Sequence, residues 1–255
     1  MYSLPTHMDD WWEQMSIDEC NLKKTVIEKK LGLLAAQRLD VIKKKLYTPP
    51  TKVRARTNVA YGEPYQLVNI DFEKVCLAKS NYSRLSLAGT LNENEVKEST
   101  TLFHNCQVMA SPSVTPAMRN TFVLESAHKC MSYKGNAVYE EEVYIKILDS
   151  AEPLYLSFLT SFLTLGEFNP VRLSTTRDEY CLFKLVFWEP STRYARFRTI
   201  ELNTRVIIKH VITGKNLVVT RSNVPTIFGR EYEVTCDILR DSHRMETAES
   251  FWMIT

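Results

Sequence analysis

The residues that could perform acid, base or nucleophilic chemistry are scattered along the chain and form no recognisable motif. Only Asp241, Ser242 and His243 lie together, and they resemble part of a hydrolase triad. Triad members are brought together in space by a fold, and no strained G-x-S-x-G elbow surrounds any serine of this sequence. We therefore interpret Asp241 and His243 as a turn with local side-chain-to-backbone hydrogen bonds. The sequence predicts that the protein is not an enzyme.

Metal and redox chemistry are disfavoured by the spacing of the cysteines and histidines. The six cysteines include no C-x-x-C pair, and the five histidines show no helix-borne ligand spacing. We expect no metal and no cofactor, and we expect mostly buried, reduced thiols. The cysteines are Cys20, Cys76, Cys106, Cys130, Cys181 and Cys236, and the histidines are His7, His104, His128, His210 and His243.

The glycine content excludes phosphate-binding loops. The 255 residues contain only seven glycines, the closest two 15 residues apart, so neither a Rossmann fingerprint nor a P-loop is present. Apolar residues make up 44% and charged residues 24% of the chain, which is typical of a folded protein. No apolar run approaches the roughly 20 residues of a membrane helix, and we expect no membrane partner.

Charge is concentrated near the N-terminus. Residues 1–20 carry a charge of −5, residues 21–56 carry +9, and residues 57–255 carry −2. Ser16 and Glu19 form a capping-box pattern, and Tyr47 precedes two prolines, so we predict one long amphipathic helix over 16–47. Its predicted apolar stripe is Ile27, Leu31, Leu34, Ala35, Leu39, Ile42 and Leu46.

Two interpretations of this basic helix stay open. It either packs along its own domain or projects to meet a partner through its stripe or its edge at Lys43, Lys44 and Lys45. Likewise, Trp11 and Trp12 cannot both face one core, so one of them anchors the segment to the body or to a partner. The basic residues could also contact phosphates, but no motif that reads nucleic acid accompanies them, so we expect no nucleic-acid partner.

From residue 61 onward the sequence is rich in strand-forming residues, and an internal repeat is visible. The segment 145–156 aligns without a gap to 208–219, and 67–77 is a shorter third copy, each indicating a hairpin. Aromatic strands are predicted after them at 121–124, 182–188 and 251–254. Three such units close a barrel that none could form alone.

We therefore predict a mainly β protein, with a β-trefoil-like body after a long N-terminal amphipathic α-helix. An irregular β-sandwich is the rival architecture. The predicted organisation is an acidic-aromatic segment (1–15), the basic helix (16–47), a Pro/basic linker (48–60) and the trefoil-like domain (61–255). Its repeats span about 61–127, 138–188 and 202–255.

Several short motifs carry a family resemblance that covers nearly the whole chain. The ending contains Phe228-Gly229-x-Glu231-x-Glu233-Val234, then Asp241-Ser242-His243-Arg244-x-Glu246, then Trp252-Met253. Earlier motifs are Tyr61-Gly62, Leu67-Val68-Asn69 and Arg119-Asn120-Thr121-Phe122. In order and spacing these motifs resemble the cilia- and flagella-associated protein 161 family.

The resemblance implies a structural microtubule inner protein of the ciliary or flagellar axoneme, in the cytoplasm and cytoskeleton. Its partners would be α/β-tubulin in the doublet lumen, in the A-tubule by resemblance, and other inner proteins. The alternative is a cytosolic trefoil that binds a sugar, an inositol phosphate or another protein. The residues that we expect to contact a partner are Trp11, Trp12, Lys43, Lys44, Lys45, Lys52, Arg54, Arg56, His243 and Arg244.

Overall fold

The structure is a computed structural model that describes residues 4–50, 57–72, 84–127, 135–148, 152–159, 169–189 and 198–255. Two helices, α1 (Leu4–Lys30) and α2 (Ala35–Leu46), precede an antiparallel sheet of 13 strands. The prediction of a mainly β body after an N-terminal helical segment is confirmed. The strands are β1 (Pro64–Tyr65), β2 (Leu67–Asn69), β3 (Leu85–Gly89), β4 (Val108–Ser111), β5 (Phe122–Ser126), β6 (Glu142–Ile147), β7 (Tyr155–Ser157), β8 (Arg172–Ser174), β9 (Leu182–Phe187), β10 (Arg205–His210), β11 (Asn216–Thr226), β12 (Gly229–Asp237) and β13 (Phe251–Ile254).

The strand pairings close into a ring. β1 pairs with β5, β5 with β6, β6 with β9, β9 with β10, β10 with β13 and β13 with β2. Since only Gln66 separates β1 from β2, the last pairing returns to the first. The three predicted aromatic strands appear in this ring as β5, β9 and β13. Outside the ring lie the hairpins β3–β4, β7–β8 and β11–β12.

The two ends of the ring show approximate threefold symmetry in their backbone hydrogen bonds. The amide of Val59 donates to Ile200 (2.9 Å), Ile200 to Ala137 (2.9 Å) and Ala137 to Val59 (2.8 Å). These residues are separated by the same offsets, 78 and 63, that relate the aligned hairpins in the sequence. Between hairpins, Val108 donates to Val171 (2.9 Å) and Val171 to Val234 (3.1 Å). Val59 therefore belongs to the body, although the sequence assigned it to the linker.

One apolar core fills the ring. Trp252 on β13 is fully buried, and its indole N–H donates to the backbone oxygen of Leu217 at 2.9 Å, so no polar group is left unpaired there. His210 is also fully buried, as the sequence predicts for a packed residue. Core residues contributed by the ring strands include Leu67, Phe122, Ile145, Ile147, Phe183, Leu185, Val206, Ile208 and Ile254.

The prediction of one continuous helix over 16–47 is wrong, because the chain turns at Gly32. Gly32 adopts φ +71, and its amide donates to Lys29 while the amide of Leu33 donates to Glu28 (3.3 and 2.8 Å). This paired pattern is the Schellman ending of a helix, in which glycine takes the left-handed position without strain. The capping box is wrong too, since Ser16 lies within α1 and no boundary separates 1–15 from the helix.

Candidate functional site: the helical arm and its socket

Helix α1 stands clear of the body. Every side chain described from residue 10 to residue 27 is exposed, including Trp11 at 58% and Trp12 at 57%. The two indoles contact each other edge to face, with ring centroids 5.2 Å apart. The option that one of them anchors the segment to the body is therefore wrong. We call α1 and α2 together the arm.

The exposed apolar residues of α1 form a stripe. At 3.6 residues per turn, five of them fall within an arc of about 100°, the width of a face that usually packs against something. We call this set the arm stripe, and it consists of Trp11, Trp12, Met15, Leu22 and Val26. The stripe predicted from the sequence does not continue onto α1, because Ile27 and Leu31 are more than half exposed. A helix that leaves such a face in solvent is a candidate for binding another protein.

Helix α2, in contrast, is fixed to the body. Ile42 and Leu46 are buried in the core cluster, and Leu39 packs against it. Lys43, Lys44 and Lys45 remain exposed in the last turn of α2. The sequence-based edge of three lysines is thus presented to solvent by a helix with a defined position.

A buried ion pair holds the end of α2. Arg119 and Glu231 are 2% and 1% exposed, and a guanidinium Nη donates to the Glu231 carboxylate at 2.6 Å. The Nε of Arg119 donates to the backbone oxygen of Gly89 at 3.1 Å. The guanidinium carbon lies 3.8 Å from the ring centroid of Phe228, which in turn contacts Tyr47 edge to face at 5.7 Å. We call Tyr47, Arg119, Phe228 and Glu231 the arm socket.

Backbone and side-chain contacts fasten the arm further. The amide of Met118 donates to the backbone oxygen of Thr48 at 3.0 Å, just beyond α2. Lys45 Nζ donates to Thr100 Oγ1 at 3.2 Å, and the Arg38 guanidinium donates to the backbone oxygen of Lys97. The arm is therefore held at α2 and leaves the body at Gly32.

Two of the family motifs meet in this socket. Arg119 begins the motif at 119–122, and Phe228 and Glu231 belong to the motif at 228–234, 112 residues away. Asn120 stabilises the turn that presents Arg119, because its side chain accepts from the Ala117 amide at 2.8 Å and donates to Ser86 Oγ at 3.2 Å. Sequence reasoning quoted these motifs without pairing them, and no local signal links residues so far apart.

The remaining predicted contacts lie elsewhere. His243 and Arg244 are exposed in a turn where Asp241 Oδ1 accepts from the amides of His243 (2.8 Å) and Met245 (2.9 Å). The prediction of a turn with local hydrogen bonds is confirmed. Within the described part of the chain, neither the His243 nor the Arg244 side chain bonds to the arm. The predicted contacts Lys52, Arg54 and Arg56 lie outside the described residues.

A second candidate site is a polar cavity of about 440 Å³ beside β8. One wall carries Arg172, whose Nη1 donates to the backbone oxygen of Asn105 at 3.0 Å. His104 Nδ1 accepts from the Thr175 amide at 3.2 Å. The remaining lining residues include Ser157, Asn169, Ser174, Thr176 and Asp178. The cavity thus combines a guanidinium, an imidazole and several hydroxyls.

The buried thiols are poorly suited to nucleophilic chemistry. Burial raises the pKa of Cys106 to about 12 and that of Cys181 to about 11, so both stay protonated near neutral pH. Burial also raises the pKa of Cys236 well above the ordinary value. Among the described residues, no three His, Cys, Asp or Glu side chains are grouped as metal ligands. The described helices include none with the length and apolar character needed to cross a bilayer.

Solved structures resemble the body in fold. An SDF2-like protein from Arabidopsis thaliana aligns with a TM-score of 0.54 and 15% identity, covering 78% of this chain and 94% of that one. A Caenorhabditis elegans protein of unknown function aligns with a TM-score of 0.53 and 12% identity over 80% of this chain and 98% of its own. At these identities the similarity concerns the fold alone.

Curated relatives match over the whole chain. The cilia- and flagella-associated protein 161 of Danio rerio is 24% identical over 266 residues, which cover 100% of this chain and 87% of that protein. The protein of the same name from Mus musculus is 27% identical over 270 residues, covering 100% and 88%. The family profile described as the cilia- and flagella-associated protein 161-like domain matches residues 38–167 and 162–255. The chain, with its socket built from two motifs of that family, belongs to the cilia- and flagella-associated protein 161-like family.

Proposed function

We propose that the chain is a non-enzymatic structural component of ciliary and flagellar doublet microtubules. It binds α/β-tubulin and neighbouring inner proteins within the lumen. Membership of the family supports the ciliary location, since the curated relatives are named as cilia- and flagella-associated proteins. The single structural observation that carries the proposal is the arm, which is fastened to the body at the socket and exposed beyond Gly32.

The body of this proposal is a β-trefoil. Six segments pair around a closed ring, three hairpins lie outside it, and the Val59–Ile200–Ala137 cycle relates three repeats about one axis. Closure removes the free sheet edges that would otherwise pair with other chains. Such a body is rigid and offers many loops, which suits a docking element. The fold alone assigns no function, and the argument for docking comes from the arm.

In this proposal α2 supplies the electrostatic contact. Lys43, Lys44 and Lys45 point away from the core and carry three positive charges on one turn of a fixed helix. The surface of tubulin is acidic, so these charges favour its approach. The α1 helix extends about 40 Å further, at 1.5 Å per residue, and reaches a neighbouring subunit or inner protein. Contacts repeated along the lattice give each weak interaction a high effective concentration.

The mechanical consequence is a stiffer lattice. A protein that links adjacent subunits adds contacts that must break before the wall bends locally. Loss of the protein should leave tubulin assembly intact and weaken motility.

Stepwise salt extraction of detergent-stripped axonemes tests the proposal. The tagged protein should stay with the doublets until they disintegrate. A variant with Lys43, Lys44 and Lys45 changed to Glu should leave at lower salt. A matched variant that reverses three exposed charges of the body, Arg84, Lys209 and Arg230, should behave like the wild type. Recovery of the wild type in the soluble fraction at low salt would overturn the proposal.

The polar cavity supports a second candidate function, a trefoil that binds a sugar or an inositol phosphate. Arg172 and His104 on its walls offer donors to phosphate or hydroxyl oxygens. Titration calorimetry of the full chain with inositol hexakisphosphate and with mannose tests it. Saturable binding that Arg172→Gln abolishes would favour this function. Absence of heat with either compound at millimolar concentration would rule out these ligand classes.

A further inference from the structure

The charges of α1 are divided between its two halves. Residues 10–19 hold Asp10, Glu13, Asp18 and Glu19 and no basic residue, a charge of −4. Residues 21–30 hold four lysines against one glutamate, a charge of +3. All the described side chains of both halves are exposed except Glu28, which is intermediate. The helix thus presents one acidic and one basic half around the same arm stripe.

This division matters because the arm stripe crosses the boundary between the halves. Trp11, Trp12 and Met15 lie in the acidic half, and Leu22 and Val26 lie in the basic half. Any partner that covers the whole stripe therefore faces negative charge along one half and positive charge along the other. A partner helix must carry the opposite order of charges to be complementary.

We infer that α1 pairs with α1 of a second copy of this chain in antiparallel orientation. An antiparallel pair places the acidic half of each helix beside the basic half of the other, twice over, whereas a parallel pair places like charges together. A twofold axis makes the contact isologous, so one stripe buries the other. The large indoles of each copy then cover the smaller Leu22 and Val26 region of its partner. The inference rests on α1 itself and does not depend on the proposed lumenal location.

Charges within one helix do not account for the stripe. Acidic residues near the N-terminus and basic residues near the C-terminus favour the helix dipole, and Glu19 pairs with Lys23 at 2.7 Å. These interactions stabilise the single helix by a few tenths of a kcal/mol per pair. They do nothing for two adjacent tryptophans that are more than half exposed. Pairing satisfies both the charge order and the apolar face.

Sedimentation equilibrium of the full chain from 1 to 100 µM tests self-association. We expect a concentration-dependent approach to twice the monomer mass of 29.5 kDa. Changing Trp11 and Trp12 to Ser should weaken the association at least about tenfold, since interface aromatics dominate binding. Ile17 and Ile27 lie away from the stripe, so changing both to Ser is the matched control. Circular dichroism should show an unchanged thermal transition of the body in both variants.

A pair of charge variants tests complementarity. In the first, Lys23, Lys24, Lys29 and Lys30 become Glu, and in the second, Asp10, Glu13, Asp18 and Glu19 become Lys. Each variant alone should be monomeric, and the two mixed should associate again. Self-association of the first variant with wild-type strength would overturn the inference.

Cross-linking tests the orientation. In a Cys20→Ser background, Met15→Cys and Leu22→Cys lie on the stripe about equally far from the centre of the helix. Under mild oxidation an antiparallel pair should join the Met15→Cys chain to the Leu22→Cys chain, with the background alone as control. Dominant homodimers of the Met15→Cys chain would contradict the antiparallel arrangement. A chain that stays monomeric at 100 µM while an axonemal protein binds α1 would replace the second copy by that protein and overturn the inference.

Discussion

Replacing Arg119 by Met tests how the arm is held to the body. The change removes the cation beside Glu231 and leaves a carboxylate that is 1% exposed without its charged partner. Removing one member of a buried pair typically costs about 3–5 kcal/mol, because the remaining charge stays desolvated. The same change removes the donor to the Gly89 oxygen and the stacking on Phe228 at 3.8 Å. We therefore expect the upper half of that range.

The double variant Arg119→Met and Glu231→Met separates the charge effect from packing. In the wild type, Nη1 of Arg119 and Oε2 of Glu231 have no hydrogen-bond partner among the described residues. The intact pair therefore carries a desolvation cost that two apolar side chains do not have. We expect the double variant to recover most of the stability that the single variant loses.

Urea denaturation provides the assay. Fluorescence of the buried Trp252 reports on the body, and amide exchange of residues 42–48 reports on the docking of α2. Arg198→Met is the control, because Arg198 and Glu201 are 57% and 52% exposed and such a pair is worth about 0–1 kcal/mol. A loss below about 1 kcal/mol for Arg119→Met, or a double variant no more stable than the single one, would refute this account of the socket.

Three further predictions concern a buried glycine, the helix break and a buried histidine. Gly89→Ala should cost about 1–3 kcal/mol, because the new Cβ would lie 2.7 Å from a Leu102 methyl; an unchanged urea midpoint would contradict this. Gly32→Ala has open space but φ +71, so we expect faster amide exchange at residues 28–33, about fivefold or more for a cost of about 1–2 kcal/mol, and an unchanged midpoint for the body. Burial lowers the pKa of His210 below 6.5, so the unfolded chain binds its proton more readily and stability should fall as the pH drops below about 6.5. Urea midpoints at pH 5 and pH 7.5 check this, and the fall should shrink in His210→Gln but persist in the exposed control His243→Gln.

The strands of the body were predictable because their signals are local and repeated. Alternating apolar residues and the gapless match of 145–156 to 208–219 located hairpins at one fixed offset. The same offset relates Ala137 and Ile200, which exchange a backbone hydrogen bond at the end of the ring. Repetition supplied long-range information that a single strand does not contain.

The arm and its socket were predictable only in part. The apolar periodicity of residues 27–46 continues through Gly32, so only the glycine itself indicated the break, and one helical glycine is a weak signal. Arg119 and Glu231 lie 112 residues apart, and no spacing rule connects them. Charge near the N-terminus and the exposed tryptophans did indicate that this region carries the contacts of the protein.

Cryo-electron microscopy of doublets from cells with and without the chain tests the central claim most directly. A difference map should show density for a compact β body with a projecting helix, repeated along the inner wall of the doublet and absent when the gene is disrupted. Identical lumenal density in the two samples, with the protein found elsewhere in the cell, would contradict the account.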